Sequence, residues 1–159
     1  MKSVGQQQTR PEKIHDAVIV NDIITICRDG KNFYRQAAQA VDDQALKNIF
    51  NGMADIRQDL VDELEPQVTY RGIDVAEFGS ISGTIKIWYI NAKEKFGDFG
   101  DRRFISQLTE TESRTLNVMK AAVKAVDDNQ LAGKLSSKIA SIQMTYDRMK
   151  ALKDQSSHH

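Results

Sequence analysis

The chain has 159 residues, enough for one domain with a buried core, and its 22 basic and 22 acidic residues give a formal net charge of +0. A neutral chain lacks the basic surface of a general nucleic-acid-binding protein, and no apolar run approaches the ~20 residues that span a membrane. We therefore expect neither nucleic acid nor membrane as a partner. The single cysteine, Cys27, cannot form an intramolecular disulfide, which suits the cytoplasm.

Residues 1–20 are largely polar, and we predict a flexible N-terminal arm on which His15 is an exposed side chain. Asn21 is a suitable N-cap for a first helix over 21–41. Gly30 lies on the buried stripe of that helix, where a glycine costs about 1 kcal/mol relative to alanine. This cost predicts a bulky neighbour close to the helix backbone, and Trp88 is the candidate.

A ten-residue pattern occurs twice, as AAQAVDDQAL at 37–46 and AVKAVDDNQL at 122–131, with a constant offset of 85 positions. Each copy has the pattern of a helix end, an acidic turn and a new helix. Asp43 and Asp128 are placed to cap the helices that follow. The repeat therefore predicts two helical hairpins built on one plan.

The remaining helices are predicted at 44–70, 101–126 and 129–153, with apolar residues at a 3.6-residue period. Pro66 should kink or end the regular second helix near Glu65. The segment between the hairpins is too long for a structureless loop in a compact domain, so we predict a short helix over 81–95.

These elements predict an all-α fold with one bundle domain over residues 21–153 and a disordered tail at 154–159, whose final histidines resemble an expression-tag remnant. Two hairpins joined by a long crossover are typical of the ferritin-like four-helix bundle.

Several short motifs resemble one family in their order and spacing. They are Asn21-Asp22, Asp29-Gly30 with Phe33-Tyr34 and Ala37-Ala38, Gly79-Ser80 with Gly83 and Trp88, and Tyr146-Asp147-Arg148-Met149. Over residues 20–153 the chain resembles a bacterial ferritin-like four-helix-bundle family whose domain is of unknown function. The resemblance implies the fold and no activity, and Tyr146 stands where the family pattern has a histidine.

A di-iron bundle needs a glutamate from each of two helices and a Glu-x-x-His from each of the other two. We expect no Glu-x-x-His metal-binding pair anywhere in the chain, and the inward positions near mid-bundle offer one carboxylate, Glu112. We therefore expect no cofactor, no bound metal and no enzymatic activity. The predicted role is a structural, assembly or partner-binding module; the alternative is a metal-binding or iron-handling protein whose site is degenerate or completed at an interface.

Two sets of residues are singled out by position. Arg57 and Glu112 are each flanked by apolar residues one helical turn away, which predicts a buried ion pair in place of a metal site, with Tyr146 donating a hydrogen bond to the carboxylate. The aromatic residues of the crossover predict the interface of a homodimer or larger symmetric oligomer, with closure of the bundle end within one chain as the alternative. They are Trp88, Tyr89, Phe96 and Phe99.

Overall fold

A computed structural model describes the backbone of residues 10–70, 80–93 and 101–156, and the side chains of 15–66, 85–92 and 104–154. Every element in these ranges is a helix, so the all-α class is confirmed for the part of the chain that is described. The five helices are α1 (Arg10–Ala40), α2 (Gln44–Tyr70), α3 (Ser80–Lys93), α4 (Asp101–Lys124) and α5 (Asn129–Ser156). None of them is long and apolar enough to cross a membrane over the described residues.

The two acidic turns cap the helices that follow them, as the repeat predicts. The Asp43 carboxylate accepts a hydrogen bond from the backbone N–H of Leu46 at 3.1 Å. At the matching position, the Asp128 carboxylate accepts from the N–H groups of Gln130 and Leu131. A carboxylate at this position satisfies N–H groups that have no partner within the helix, so each turn ends one helix and starts the next.

The predicted start of the first helix is wrong, because α1 begins at Arg10 and the predicted N-cap Asn21 is buried in mid-helix. The added turns are held by tertiary contacts that a local pattern does not contain. Both oxygens of the buried Asp16 carboxylate accept backbone N–H groups of the α4–α5 turn, from Asp127 and Asp128. Of the predicted arm, residues 1–9 lie outside the described residues.

Helix α2 continues through Pro66 to Tyr70, so Pro66 does not end it. A proline removes one backbone hydrogen bond of the helix. Here Pro66 lies one turn before the end of α2, so only the last turn of the helix is affected.

The first hairpin is antiparallel. Arg28 of α1 pairs with Glu65 of α2, and Arg35 pairs with Asp55, so residue numbers rise along one helix as they fall along the other. Helices α4 and α5 form the second hairpin around their own short turn.

Helix α3 reverses the direction of the chain between the hairpins. Asp29 of α1 lies near Lys86, and the Phe33 ring lies 4.9 Å from the Tyr89 ring, so α3 runs in the same direction as α1. It packs between α1 and α4 and closes the ring of helices in the order α1, α2, α5, α4.

The two hairpins meet along α2 and α5. Glu63, in the second half of α2, binds Lys138 at 2.6 Å and lies 3.7 Å from Lys134, both in the first half of α5. Asp16 also holds the α4–α5 turn beside the first turns of α1, so α5 starts at the end of the bundle where α2 finishes. Helix α2 is therefore antiparallel to α5 and parallel to α4. Parallel helices cannot be joined by a short turn, which is the geometric reason for the long crossover.

We predict that Asp16→Ala destabilises the fold by about 1–3 kcal/mol, since two part-buried N–H groups would lose their acceptor. Urea denaturation followed by circular dichroism measures the change. Asp42→Ala is the control, because Asp42 is exposed in the other turn and should shift stability by less than about 0.5 kcal/mol. Equal effects of the two substitutions would show that the first turns of α1 do not belong to the bundle.

Candidate functional site

A charged pair lies in the middle of the bundle, between α2 and α4. The Arg57 Nη2 atom binds Oε1 of Glu112, and both side chains are 0% exposed. The structure thus brings together the two residues that their apolar surroundings predicted to face inward. Water does not screen charges that are buried in this way, so each charge needs the opposite charge of the other to compensate it.

The local sequence explains why these polar side chains point inward. Arg57 shares its helical stripe with Met53, Leu60 and Val61, and all three are buried. Residues three and four positions apart lie on one helix face, so burying those neighbours buries Arg57 as well. Glu112 is placed in the same way by a second set of buried side chains, namely Leu108, Leu116 and Met119.

Tyr34 of α1 contacts both members of the pair. Its hydroxyl donates a hydrogen bond of 2.5 Å to Oε2 of Glu112. The Arg57 guanidinium carbon lies 4.7 Å from the centre of the same tyrosine ring, a cation–π contact. One side chain therefore contacts the anion with its hydroxyl and the cation with its ring.

The prediction of Tyr146 for this hydroxyl was wrong, since Tyr34 makes the hydrogen bond and Tyr146 is half-buried against the hydrophobic core on α5. The available signal was the position of Tyr34 on the buried stripe of α1. Placing Glu112 by the repeat offset of 85 positions sets it level with Cys27, about two helical turns before Tyr34 on α1. Counting along a repeat gives no helix-to-helix stagger, and this error hid Tyr34.

Gly30 gives Arg57 and Tyr89 the room they need. A Cβ atom built on Gly30 would lie 2.7 Å from Arg57 Nε and 2.9 Å from the Tyr89 hydroxyl. The prediction of a bulky neighbour is confirmed, but it is Tyr89 with Arg57, and the candidate Trp88 was wrong by one position. Arg57 Nη1 also donates a hydrogen bond to the Met53 carbonyl at 3.2 Å. Arg57 Nε and the Tyr89 hydroxyl are buried without a hydrogen-bond partner.

Burial sets the protonation of the neutral groups around the pair. It raises the pKa of the Cys27 thiol to about 12, against a smaller opposing effect of the Arg57 charge. Burial likewise raises the pKa of the Tyr34 and Tyr89 hydroxyls. At neutral pH the thiol and both phenols are therefore protonated, and Cys27 is a poor nucleophile.

The arrangement does not suit a metal cation. Both Glu112 oxygens are engaged, one by a guanidinium and one by a hydroxyl. A cation at this carboxylate would have to displace the Arg57 charge or lie beside it, which the low dielectric of the interior makes costly.

A second group of possible ligands lies at the end of the bundle. His15, Asp16 and Asp127 have ligand atoms within 4.8 Å of one another, the one such group among the described residues. His15 and Asp16 lie in the first turns of α1, and Asp127 lies in the α4–α5 turn. Glu12 and His15 also form a Glu-x-x-His sequence, so the expectation that the chain contains none was wrong. Part of it is already engaged: His15 Nε2 lies 2.8 Å from the Ala125 carbonyl oxygen, and Asp16 holds the turn.

The aromatic residues predicted to form an interface have different locations. Tyr89 is 4% exposed and packs inside its own chain against Phe33, so its assignment to an intermolecular contact was wrong. Trp88 is half-buried against the core. Phe96 and Phe99 lie outside the described residues.

We predict that Glu112→Ala lowers the free energy of unfolding by about 3–5 kcal/mol, because it leaves a buried guanidinium without a counter-charge. Glu110→Ala is the matched control on the same helix, because Glu110 is 66% exposed and should cost less than about 0.5 kcal/mol. Chemical denaturation measures both. A cost for Glu112→Ala no larger than the control would contradict the buried pair.

Replacing Gly30 by alanine should change stability in the opposite direction from replacing Gly52 or Gly133. We predict that Gly30→Ala lowers stability, since the clash with Arg57 and Tyr89 costs about 1–3 kcal/mol and exceeds the gain in helix propensity. Gly52→Ala and Gly133→Ala meet nothing within 4 Å, so each should gain up to about 1 kcal/mol from helix propensity alone. Thermal unfolding shows the sign directly, and a stabilising Gly30→Ala would refute the close approach.

Comparison with known proteins gives one result. The family model described as a domain of unknown function, DUF2383, matches residues 17–125. Neither the comparison with curated proteins nor that with solved structures gave a match. The matched range covers more than half of the chain and includes Gly30, Tyr34, Arg57 and Glu112, whereas Tyr146 lies outside it. The chain is therefore a member of the DUF2383 family, a family defined by a domain of unknown function.

Proposed function

We propose that this chain is a ferritin-like helical bundle without catalytic activity, which serves as a structural, assembly or partner-binding module. The observation that carries the proposal is the buried Arg57–Glu112 ion pair, which lies in the middle of the bundle. A di-iron site needs carboxylates and imidazoles free to bind a metal at this level of the bundle.

The ring order of the helices supports the ferritin-like arrangement. Two antiparallel hairpins lie side by side, α2 runs parallel to α4, and the long connection carries the short helix α3. A bundle with one long crossover has this connectivity, whereas an up-down-up-down bundle joins neighbouring antiparallel helices by short loops throughout.

The chemistry of the interior supports a role without catalysis. The Cys27 thiol has a pKa of about 12 because it is buried, and the neighbouring phenols are neutral for the same reason. Neither kind of group is poised to exchange a proton near neutral pH. A single buried thiol also suits the reducing cytoplasm, where we place the protein.

The alternative is a metal-handling protein whose site is completed at an interface. The observation that favours it is the His15, Asp16 and Asp127 group, which offers imidazole and carboxylate ligands at the end of the bundle. This group has fewer ligands than a di-iron site requires, so a second molecule would have to supply the others.

Metal content distinguishes the two functions. The protein is purified without chelator and with His158 and His159 replaced by alanine, so that the terminal histidines bind no metal. Iron, manganese and zinc are then measured by mass spectrometry in the parent and in Glu112→Gln and His15→Ala. We expect substoichiometric metal in all three proteins, because the carboxylate of Glu112 is already compensated by Arg57.

Two outcomes would contradict the proposal, and each points to a different site. Stoichiometric metal that is lost in Glu112→Gln would place the site in mid-bundle. Stoichiometric metal that is lost in His15→Ala but kept in Glu112→Gln would establish the interface-completed alternative.

A further inference from the structure

Helix α3 is apolar on two faces, of which one is buried. Its inner face places Ile85, Tyr89 and Ala92 in the core. On the outer side, Ile87 is 57% exposed and Ile90 is 48% exposed. A helix at the surface of a monomer normally has polar residues on its outer face. Two isoleucines one turn apart there form a short apolar ridge.

A cleft of about 210 Å³ lies beside the ridge, between α3 and α4. Trp88 and Asn91 line it on α3, and Glu110 and Arg114 line it on α4. Since Asn91 is one helical turn beyond Ile87, the ridge borders the cleft directly. Tryptophan and arginine are the side chains most often found at the energetic centre of a protein interface. We call the ridge and cleft together the α3–α4 face.

The charges of the α3–α4 face are of both signs and balance one another. Arg114 pairs with Glu110 at 2.7 Å, and both side chains are more than half exposed. On the other side of the ridge, exposed Lys86 lies near Asp29. A partner of strong single charge would find no complementary field here. A surface carrying an apolar ridge, a cleft and one charge of each sign is complementary to a second copy of itself.

We propose that the α3–α4 face binds a second copy of this chain across a two-fold axis. In such an isologous contact the isoleucine ridge of each copy packs against Trp88 at the edge of the other copy's cleft, and each contact occurs twice. Arg114 of each copy then meets Glu110 of the partner subunit, so that the two ion pairs within helices are exchanged for two between subunits. This inference rests on the proposed assembly role and names its partner. It places the contact on Ile87, Ile90, Trp88, Glu110 and Arg114, with Tyr89 inside the monomer.

Sedimentation equilibrium over a range of concentrations tests the proposal. We expect the wild type to have the mass of a dimer that dissociates on dilution, and the variant with Ile87→Glu and Ile90→Glu to be a monomer. Met144→Glu is the matched control, because Met144 is equally apolar and 61% exposed but lies on α5. It should leave the dimer mass unchanged, and circular dichroism should show that all variants keep their helices.

A charge exchange tests the two-fold contact more specifically. Arg114→Glu and Glu110→Arg each place like charges opposite one another across the axis, so each should weaken dimerisation by about tenfold or more. The double variant restores opposite charges and should return the dissociation constant to within about threefold of the wild-type value.

A monomeric wild type, or a dimer that survives the two isoleucine substitutions, would overturn this inference. So would a double charge variant that dimerises no better than either single variant. These results are separable from those on function: a metal-free monomer would refute the interface alone. A dimer with stoichiometric metal at Glu112 would instead refute the proposed function and leave the interface in place.

Discussion

A guanidinium and a carboxylate that are both fully buried impose the strictest demand on this bundle. Removing Arg57 and Glu112 from water costs several kcal/mol per ion, and the attraction between them offsets that cost only with good geometry and further hydrogen bonds. Tyr34 supplies a hydroxyl to the anion and a ring to the cation. Gly30 supplies the space beside the cation. The ion pair therefore constrains how α1 packs against α2 and α4.

Helix α3 connects that ion pair to the topology. It carries the chain back along the bundle, so that the second hairpin starts at the end where the first hairpin turns, and it brings Tyr89 next to Arg57 and Gly30. The crossover is thus a packed layer of the bundle as well as a connection. Its inner side chains belong to the core, which leaves its outer isoleucines as the apolar surface that the monomer does not cover.

The sequence predicted the parts of the fold that depend on local pattern. The acidic turns cap their helices because Asp43 and Asp128 act on groups two or three residues away. Asp16 could not be assigned in the same way, since its partners are more than a hundred positions along the chain. Arg57 and Glu112 could be predicted to face inward, and so to pair, because the apolar neighbours that bury them are close in sequence on the same helix. Their third partner, Tyr34, depends on how α1 is staggered against α4, which no periodicity contains.

The central claim is that Arg57 and Glu112 are energetically one unit, and a double-mutant cycle measures this most directly. Arg57→Met and Glu112→Leu are made singly and together, and the free energies of unfolding are compared. Either single substitution strands one buried charge, so each should cost about 3–5 kcal/mol, while the double variant, which strands none, should cost less than either. A double variant whose loss equals the sum of the single losses would show that the two charges are not coupled and would contradict the account.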